Sequence, residues 1–348
     1  MKSISLKLLV FLVCLQSMAQ NNSKTYNIHT VAFYNVENLF DTIDDPNSKD
    51  EYSPILKLKT SKSDAYWSKI NNIVRVISEI GKETTKTSPT LIGLAEIENK
   101  AVLKDLIKTE HIKNQNYDYI HVDSPDWRGI DVALLYKKGS FEPINFKTFE
   151  LFAFNDKGYR IKTRNQLLVT GYLDNELIHL IITHWPSQQR GQQKTEYLRV
   201  KSAELSAQII EEVRNEFKRP KIVLMGDLNE NPTAEYLEET LKISANKEGV
   251  SDVSLYNPFK SHFKNGHGSL GFRDNLNMFD QILISQPFIA KEYYNYQFYK
   301  SGIFNPSYLT QKKGSFKGYP FRSWGQNNIF TGGYSDHYPV YIYLIKEQ

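Results

Sequence analysis

Short apolar runs that stop abruptly at an acid, an amide or an imidazole constrain this chain more than any other feature. The plainest lies between Lys221 and Pro232, where the apolar Ile222 to Met225 gives way to Gly226, Asp227, Leu228 and Asn229. A run of that length bounded by glycine reads as a buried strand. Side chains alternate along a strand, so Asp227 and Asn229 share one face at its end while Leu228 points the other way. Taken alone, the stretch reads first as a polar turn after a core strand, because Asp, Asn and Pro favour turns, and only partners elsewhere in the chain overturn that reading.

The same ending recurs along the chain. Ile28 to Tyr34 runs into Asn35 and Glu37, Thr90 to Leu94 into Glu96, and Glu176 to Ile182 into His184. Asp280 introduces Ile282 to Ile284, and Asp336 with His337 introduces Tyr338 to Leu344. Further strands are expected at 117–122, 130–136 and 166–173. Between them lie helical patterns. Trp67, Ile70, Ile73, Val74, Ile77 and Ile80 recur at helical spacing after Ser63 or Asp64, stop at Gly81 and read as core. Other helices are expected near 101–108, 195–217 and 233–241. Residues 41–63 and 286–330 read as long loops, the second rich in Tyr, Phe, Gly and Asn and containing Arg322. Most of its aromatics, among them Tyr293, Tyr294, Tyr296, Phe298 and Tyr299, are assigned to core; stacking on bases or touching lipid is the functional alternative. Strands alternating with helices, with no break in composition, predict one α/β domain over residues 20–348.

The first nineteen residues are set apart. Lys2 and Lys7, an apolar Leu8 to Leu15, and Ser17-Met18-Ala19 match the three parts of a secretory signal peptide, with cleavage expected after Ala19. The apolar part is too short for a permanent anchor, so a secreted or periplasmic protein without a stable membrane anchor is expected, as a monomer. Acylation at Cys14 is disfavoured because Val13 occupies the preceding position, where a small residue is needed. Cys14 is the only cysteine, which excludes disulfides, thiolate zinc sites and cysteine nucleophiles from the mature chain. Removing Lys2 and Lys7 leaves 41 basic against 39 acidic residues, too even a balance to argue for a polyanionic partner by itself.

Each polar strand end has a bland explanation. Asn35 ends a strand, Glu96 is solvated, His184 and His337 are satisfied interface histidines, Asp280 caps a turn, and Arg128, Arg164 and Arg322 are surface charges. All of these holding together is the improbable case. Carboxylates, carboxamides and imidazoles gathered at strand ends can hold a hard divalent cation, fix a phosphate and move protons.

The motifs Asn-Val-Glu-Asn-Leu-Phe at 35–40, Ala-Glu-Ile-Glu-Asn at 95–99, Arg-Gly-Ile-Asp-Val-Ala at 128–133, Thr-His-Trp-Pro at 183–186, Gly-Asp-Leu-Asn at 226–229, Phe-Asp-Gln-Ile-Leu at 279–283 and Ser-Asp-His-Tyr-Pro-Val at 335–340 occur in one order. In this the chain resembles the endonuclease/exonuclease/phosphatase superfamily, from about residue 28 to 346. The resemblance implies a four-layer α/β/β/α sandwich, two mixed β-sheets face to face with helices outside, and a site where strand ends of both sheets meet. It implies Glu96 as the main ligand of Mg2+ (or Mn2+, with Ca2+ as a further option), supported by Asn35, with Asp336 as a second ligand or holding a second ion. His337, oriented by Asp280, is expected to act as general base or as donor to the scissile phosphate. Asp227 would orient or activate water, Asn229 would steady the phosphate, and His184 would serve as leaving-group acid or phosphate donor. Arg128, Arg164 and Arg190 are secondary candidates for phosphate contact. The expected substrate is a DNA or RNA phosphodiester; phospholipid head groups or small organophosphates are the alternative, and a non-catalytic binding protein of the same fold is the rival from another class. The choice among substrates lies with loops 41–63, 186–194 and 286–330.

Overall fold

The computed structural model describes residues 24–189, 191–289 and 292–348. The expected signal peptide, Cys14 and Arg190 lie outside the described residues. In chain order the strands of the two large sheets are β1 (Tyr26–Leu39), β2 (Leu91–Ile97), β3 (Tyr117–His121), β4 (Asp131–Lys137), β5 (Phe141–Phe149), β6 (Gln166–Leu173), β7 (Glu176–His184), β8 (Lys221–Asp227), β9 (Leu255–Tyr256), β10 (Asp280–Ser285), β11 (Gln297–Ile303) and β12 (Val340–Glu347). The first sheet runs β11-β12-β1-β2-β4-β3 and the second β9-β10-β8-β7-β6-β5, six strands each. Both are mixed: β1 with β2 and β7 with β8 are parallel, and β1 with β12 and β8 with β10 antiparallel.

Alternation sorts the side chains into layers. On β1, Val31 and Phe33 enter the core between the sheets, while Ala32 and Tyr34 face the helical side. On β8, Val223 and Met225 go inward, Ile222 and Leu224 outward. The outward rows are covered by helices. Helix α1 (Lys62–Glu79) brings Ile70, Ile73, Val74 and Ile77 to the first sheet, and α2 (Lys100–Ile107) adds Val102, Leu103 and Leu106. Helix α3 (Gln192–Glu216) brings Ile209, Ile210 and Val213 to the second. Each such side chain, fully buried, contributes about 1.5–3 kcal/mol. The result is the four-layer α/β/β/α sandwich, and it aims the strand ends at one another.

Local chemistry fixes the elements that flank those ends. Asn99 caps α2 by accepting from Ala101 N at 2.7 Å and Val102 N at 3.1 Å, so that helix starts just beyond Glu96. Gly226 allows β8 to approach β7 closely, since a Cβ there would lie 2.3 Å from the Thr183 carbonyl oxygen. Three expectations are corrected. Residues 286–330 are not wholly loop, because β11 pairs with β12 within them. Trp67 is 44% exposed rather than core: it lies at the edge of the buried stripe of α1, stacked edge-on against Tyr66, which takes the inward place. Of the aromatics assigned to core, Tyr296 and Phe298 are buried, whereas Tyr294 and Tyr299 are exposed. Among the described residues no helix is long and apolar enough to cross a membrane.

Candidate active site

The inward rows of both sheets change from apolar to polar at the same end. Asn35 continues the row of Val31 and Phe33, His184 that of Leu180 and Ile182, and Asp227 that of Val223 and Met225. The pairing sets Asp227 beside His184 on one side and Asp280 on the other. Asn35 pairs with Ala95, and Glu96 follows in the left-handed region, φ 66°. A left-handed residue breaks the alternation of its strand. The Glu96 carboxylate thereby accepts from the backbone N–H of Asn38 at 2.7 Å and from Asn35 Nδ2 at 3.5 Å.

Asp227 is the hub. Its Oδ2 accepts from Asn35 Nδ2 at 3.0 Å and lies 3.5 Å from His184 Nε2 and 3.9 Å from His337 Nε2; its Oδ1 accepts from the Asn229 backbone at 2.9 Å. His184 Nε2 is also 3.9 Å from Glu96 Oε1. The Nδ1 of His337 meets Asp280 Oδ2 at 2.6 Å, and Asp336 Oδ1 lies 3.9 Å from His337 Nε2. Ser335 seats that turn: its hydroxyl donates to the Asn35 carbonyl at 2.7 Å and accepts from His337 N at 3.1 Å. Asn229 Nδ2 donates to the Trp185 carbonyl at 3.0 Å, and Arg164 Nη2 donates to the same oxygen at 2.6 Å. Arg164 Nη1 then meets Asp126 Oδ2 at 3.1 Å, while Arg128 Nε meets the other oxygen of Asp126 at 3.3 Å.

Eight of the nine residues expected at strand ends thus converge, Asp336 by way of His337, while Glu37 turns to the backbone of Ser323 and Trp324. Arg164 stands one step back, buried and committed to Trp185 and Asp126; Arg128 is partly exposed at the rim. Asp126 was absent from the sequence expectations, although its place two residues before Arg128 was a signal. So was the role of Glu37, which accepts from the Ser323 backbone at 2.5 Å and so ties the 304–334 segment to the end of β1.

The electrostatics follow from burial and crowding. Burial pushes the Asp227 carboxyl up to about 7, with Asp280 adding to the shift and His337 and the Asn229 and Asn35 hydrogen bonds opposing it. Burial works against a charged His337, but Asp280, Asp227 and Asp336 outweigh it and hold the imidazole well above its usual range. Burial, reinforced by Arg164 and Arg128, holds His184 well below that range. Asp280 Oδ1 is buried without a hydrogen-bond partner among the described residues. Asp227, Asp280 and His337 each bring a donor atom within 4.8 Å of the others. His337 in that group is taken up by Asp280, so the cation-binding oxygens are those beside it: Asp336 and Glu96, whose Oε1 has no hydrogen bond closer than the 3.5 Å contact from Asn35 among the described residues, a donor set that fits a hard divalent cation.

The family model described as Endonuclease/Exonuclease/phosphatase family matches residues 30–346. The chain belongs to this family. Members of the endonuclease/exonuclease/phosphatase family are hydrolases that act on phosphoester bonds and depend on divalent metal. No curated protein matches the chain. Solved structures share the family fold. One is an endonuclease/exonuclease/phosphatase family protein of Bacteroides thetaiotaomicron, 18% identical with a TM-score of 0.55, covering 92% of this chain and 98% of that one. A mannosyl-6-phosphatase of the same organism is 17% identical with a TM-score of 0.53, covering 91% and 99%. The human Nocturnin catalytic domain with bound sulfate is 13% identical with a TM-score of 0.55, covering 94% and 97%.

Proposed function

We propose that this chain is a secreted, divalent-metal-dependent phosphodiesterase that hydrolyses DNA or RNA by in-line attack of water. The observation that carries the reading is the convergence of Asn35, Glu96, His184, Asp227, Asn229, Asp280 and His337 at one end of the inter-sheet core. Asn35, Glu96 and Asp336 would hold Mg2+ or Mn2+, which when bound supplies Lewis-acid stabilisation of charge on the phosphate. Asp280 fixes the Nδ1 proton of His337, so Nε2 is the nitrogen presented to substrate. With its proton held there by three carboxylates, His337 acts as donor to a phosphate oxygen. Asp227 orients the attacking water and accepts its proton. Asn229 keeps a second amide N–H for the phosphate, and neutral His184 donates without adding charge. Arg128 supports a phosphate oxygen from the rim.

A second reading, a phosphodiesterase of lipid head groups or small organophosphates, draws on the near-even charge balance and on Phe152, Phe154 and Tyr159, which are 70%, 54% and 68% exposed. A panel of single-stranded DNA, RNA, plasmid, bis-nitrophenyl phosphate and sphingomyelin tests both. The expected outcome is nucleic-acid cleavage that needs Mg2+ or Mn2+, stops with chelator, and falls at least about a hundredfold in Glu96→Ala and His337→Ala. Cleavage of sphingomyelin alone would select the second reading, and inertness to the whole panel would reject both. Secretion is checked by N-terminal sequencing of exported protein, expected to begin at Gln20.

A further inference from the structure

Two large aromatic side chains stand in solvent on the rim beside the site. Trp127 is 47% and Tyr52 55% exposed, with their rings edge to face and centroids 6.1 Å apart. Lys57 Nζ lies 5.3 Å over the Tyr52 ring, so Tyr52 buttresses the pair and the indole offers the open face. An indole left in water forgoes burial worth a few kcal/mol, which makes its fixed position informative.

The position is fixed from several sides. Asp131 closes the base of the 122–130 loop, meeting His121 Nε2 at 3.0 Å with one oxygen and Ser124 N at 2.9 Å with the other. The Trp127 carbonyl accepts from Lys49 N at 3.0 Å, which joins this loop to the one carrying Tyr52. Asp126 accepts from the Arg128 backbone at 2.9 Å, and Gly129 supplies the turn at φ 71°. From Asp126 the connection runs inward through Arg164 to the Trp185 carbonyl and Asn229, and these three side chains are 6%, 6% and 7% exposed. The backbone that carries the indole is therefore held at a set distance from the phosphate-binding groups, with Arg128 the next residue in the chain.

We propose that Trp127, buttressed by Tyr52, is a stacking platform for an unpaired nucleobase beside the scissile phosphate, with Arg128 on the neighbouring phosphate. The inference rests on the nucleic-acid reading above and deepens it to single strands, since a base already stacked in a duplex has no face to give. Aromatic faces accept every base, so stacking contributes affinity without sequence preference. Asp44, Asp50 and Glu51 cluster in the loop that Lys49 joins to Trp127, so Arg128 is the phosphate contact here and the salt dependence is shallow, a slope of about −0.7 per contact. This is how a chain with 41 basic and 39 acidic residues after its leader can hold a polyanion.

The experiment uses the full mature protein with Mg2+ and two oligonucleotides of equal length, one of thymidines and one of abasic tetrahydrofuran residues. Trp127→Ala is expected to raise KM for the thymidine strand at least about fivefold with kcat within about twofold, to leave the abasic strand unchanged, and to be largely rescued in Trp127→Phe. Anisotropy of the labelled thymidine strand in chelator, where nothing is cut, is expected to report the same loss of affinity. An unchanged KM, or an equal rise for both strands, in a wild type that cuts overturns the platform alone. A wild type that cuts neither strand, nor an RNA strand of the same length, overturns the nucleic-acid reading itself.

Discussion

The Asp280 carboxylate reaches His337 Nδ1 with one oxygen at 2.6 Å and buries the other without a partner. An anion so placed has two effects on one ring: it fixes which nitrogen carries the fixed proton, and it favours the charged imidazole. Asp280→Asn keeps the shape and removes the charge. On the proposed roles kcat falls on the order of a hundredfold while KM changes little, and the far-ultraviolet circular dichroism stays the same. Steady-state kinetics decide it; a loss confined to KM would make Asp280 a substrate-binding group. At this scale the sequence was most legible where an acid, amide or imidazole ended an apolar run, because a buried strand makes its last polar residue conspicuous. It was silent where a role depends on a distant partner. Ser335 acts on Asn35 across 300 positions and Asp126 on Arg164 across 38. The left-handed turn at Glu96 has no signature in a glutamate either.

Strands β7 and β8 show how tightly an element must be built to place such residues. A methyl group at Gly226 would meet the Thr183 carbonyl at 2.3 Å, and that carbonyl belongs to the residue before His184. Gly226→Ala is expected to cost about 1–3 kcal/mol in urea unfolding, because the obstacle is backbone and cannot swing aside. Gly139, with nothing within 4 Å of the same added atom, is the control, and Gly139→Ala should stay within about 0.5 kcal/mol. Equal midpoints for the two variants would contradict the close approach. The central strands were legible as apolar runs, whereas β5 and β11 were not. Both are edge strands with largely exposed or half-buried side chains, and β5 contains Pro143, so neither carries the apolar signal that burial imposes.

For the whole molecule, acid is the informative stress. His179 lies on the outer face of the second sheet under the end of α3, its ring 4.6 Å from that of Phe217 and its Nδ1 3.0 Å from Thr170 Oγ1. Burial pushes its pKa down to about 4. The unfolded chain takes up this proton near pH 6.5 and the folded one only near 4, so the neutral ring contributes fully above about 6.5 and its contribution is lost as pH falls towards 4. Discounted for partial solvent screening, the loss is on the order of 2 kcal/mol. Thermal melts at pH 7 and 4.5 should show a smaller acid shift in His179→Leu than in the wild type; equal shifts would remove His179 from the account. The alternation that sends Val223 and Met225 inward also sends Asp227 inward, and on β1 Val31, Phe33 and Asn35 share the same fate. A slip of one residue in either strand would therefore turn the whole apolar row to the wrong side and withdraw the catalytic candidate with it. Misaligned chains are thus inactive and poorly packed at once, so selection against aggregation and selection for turnover act on the same alignment.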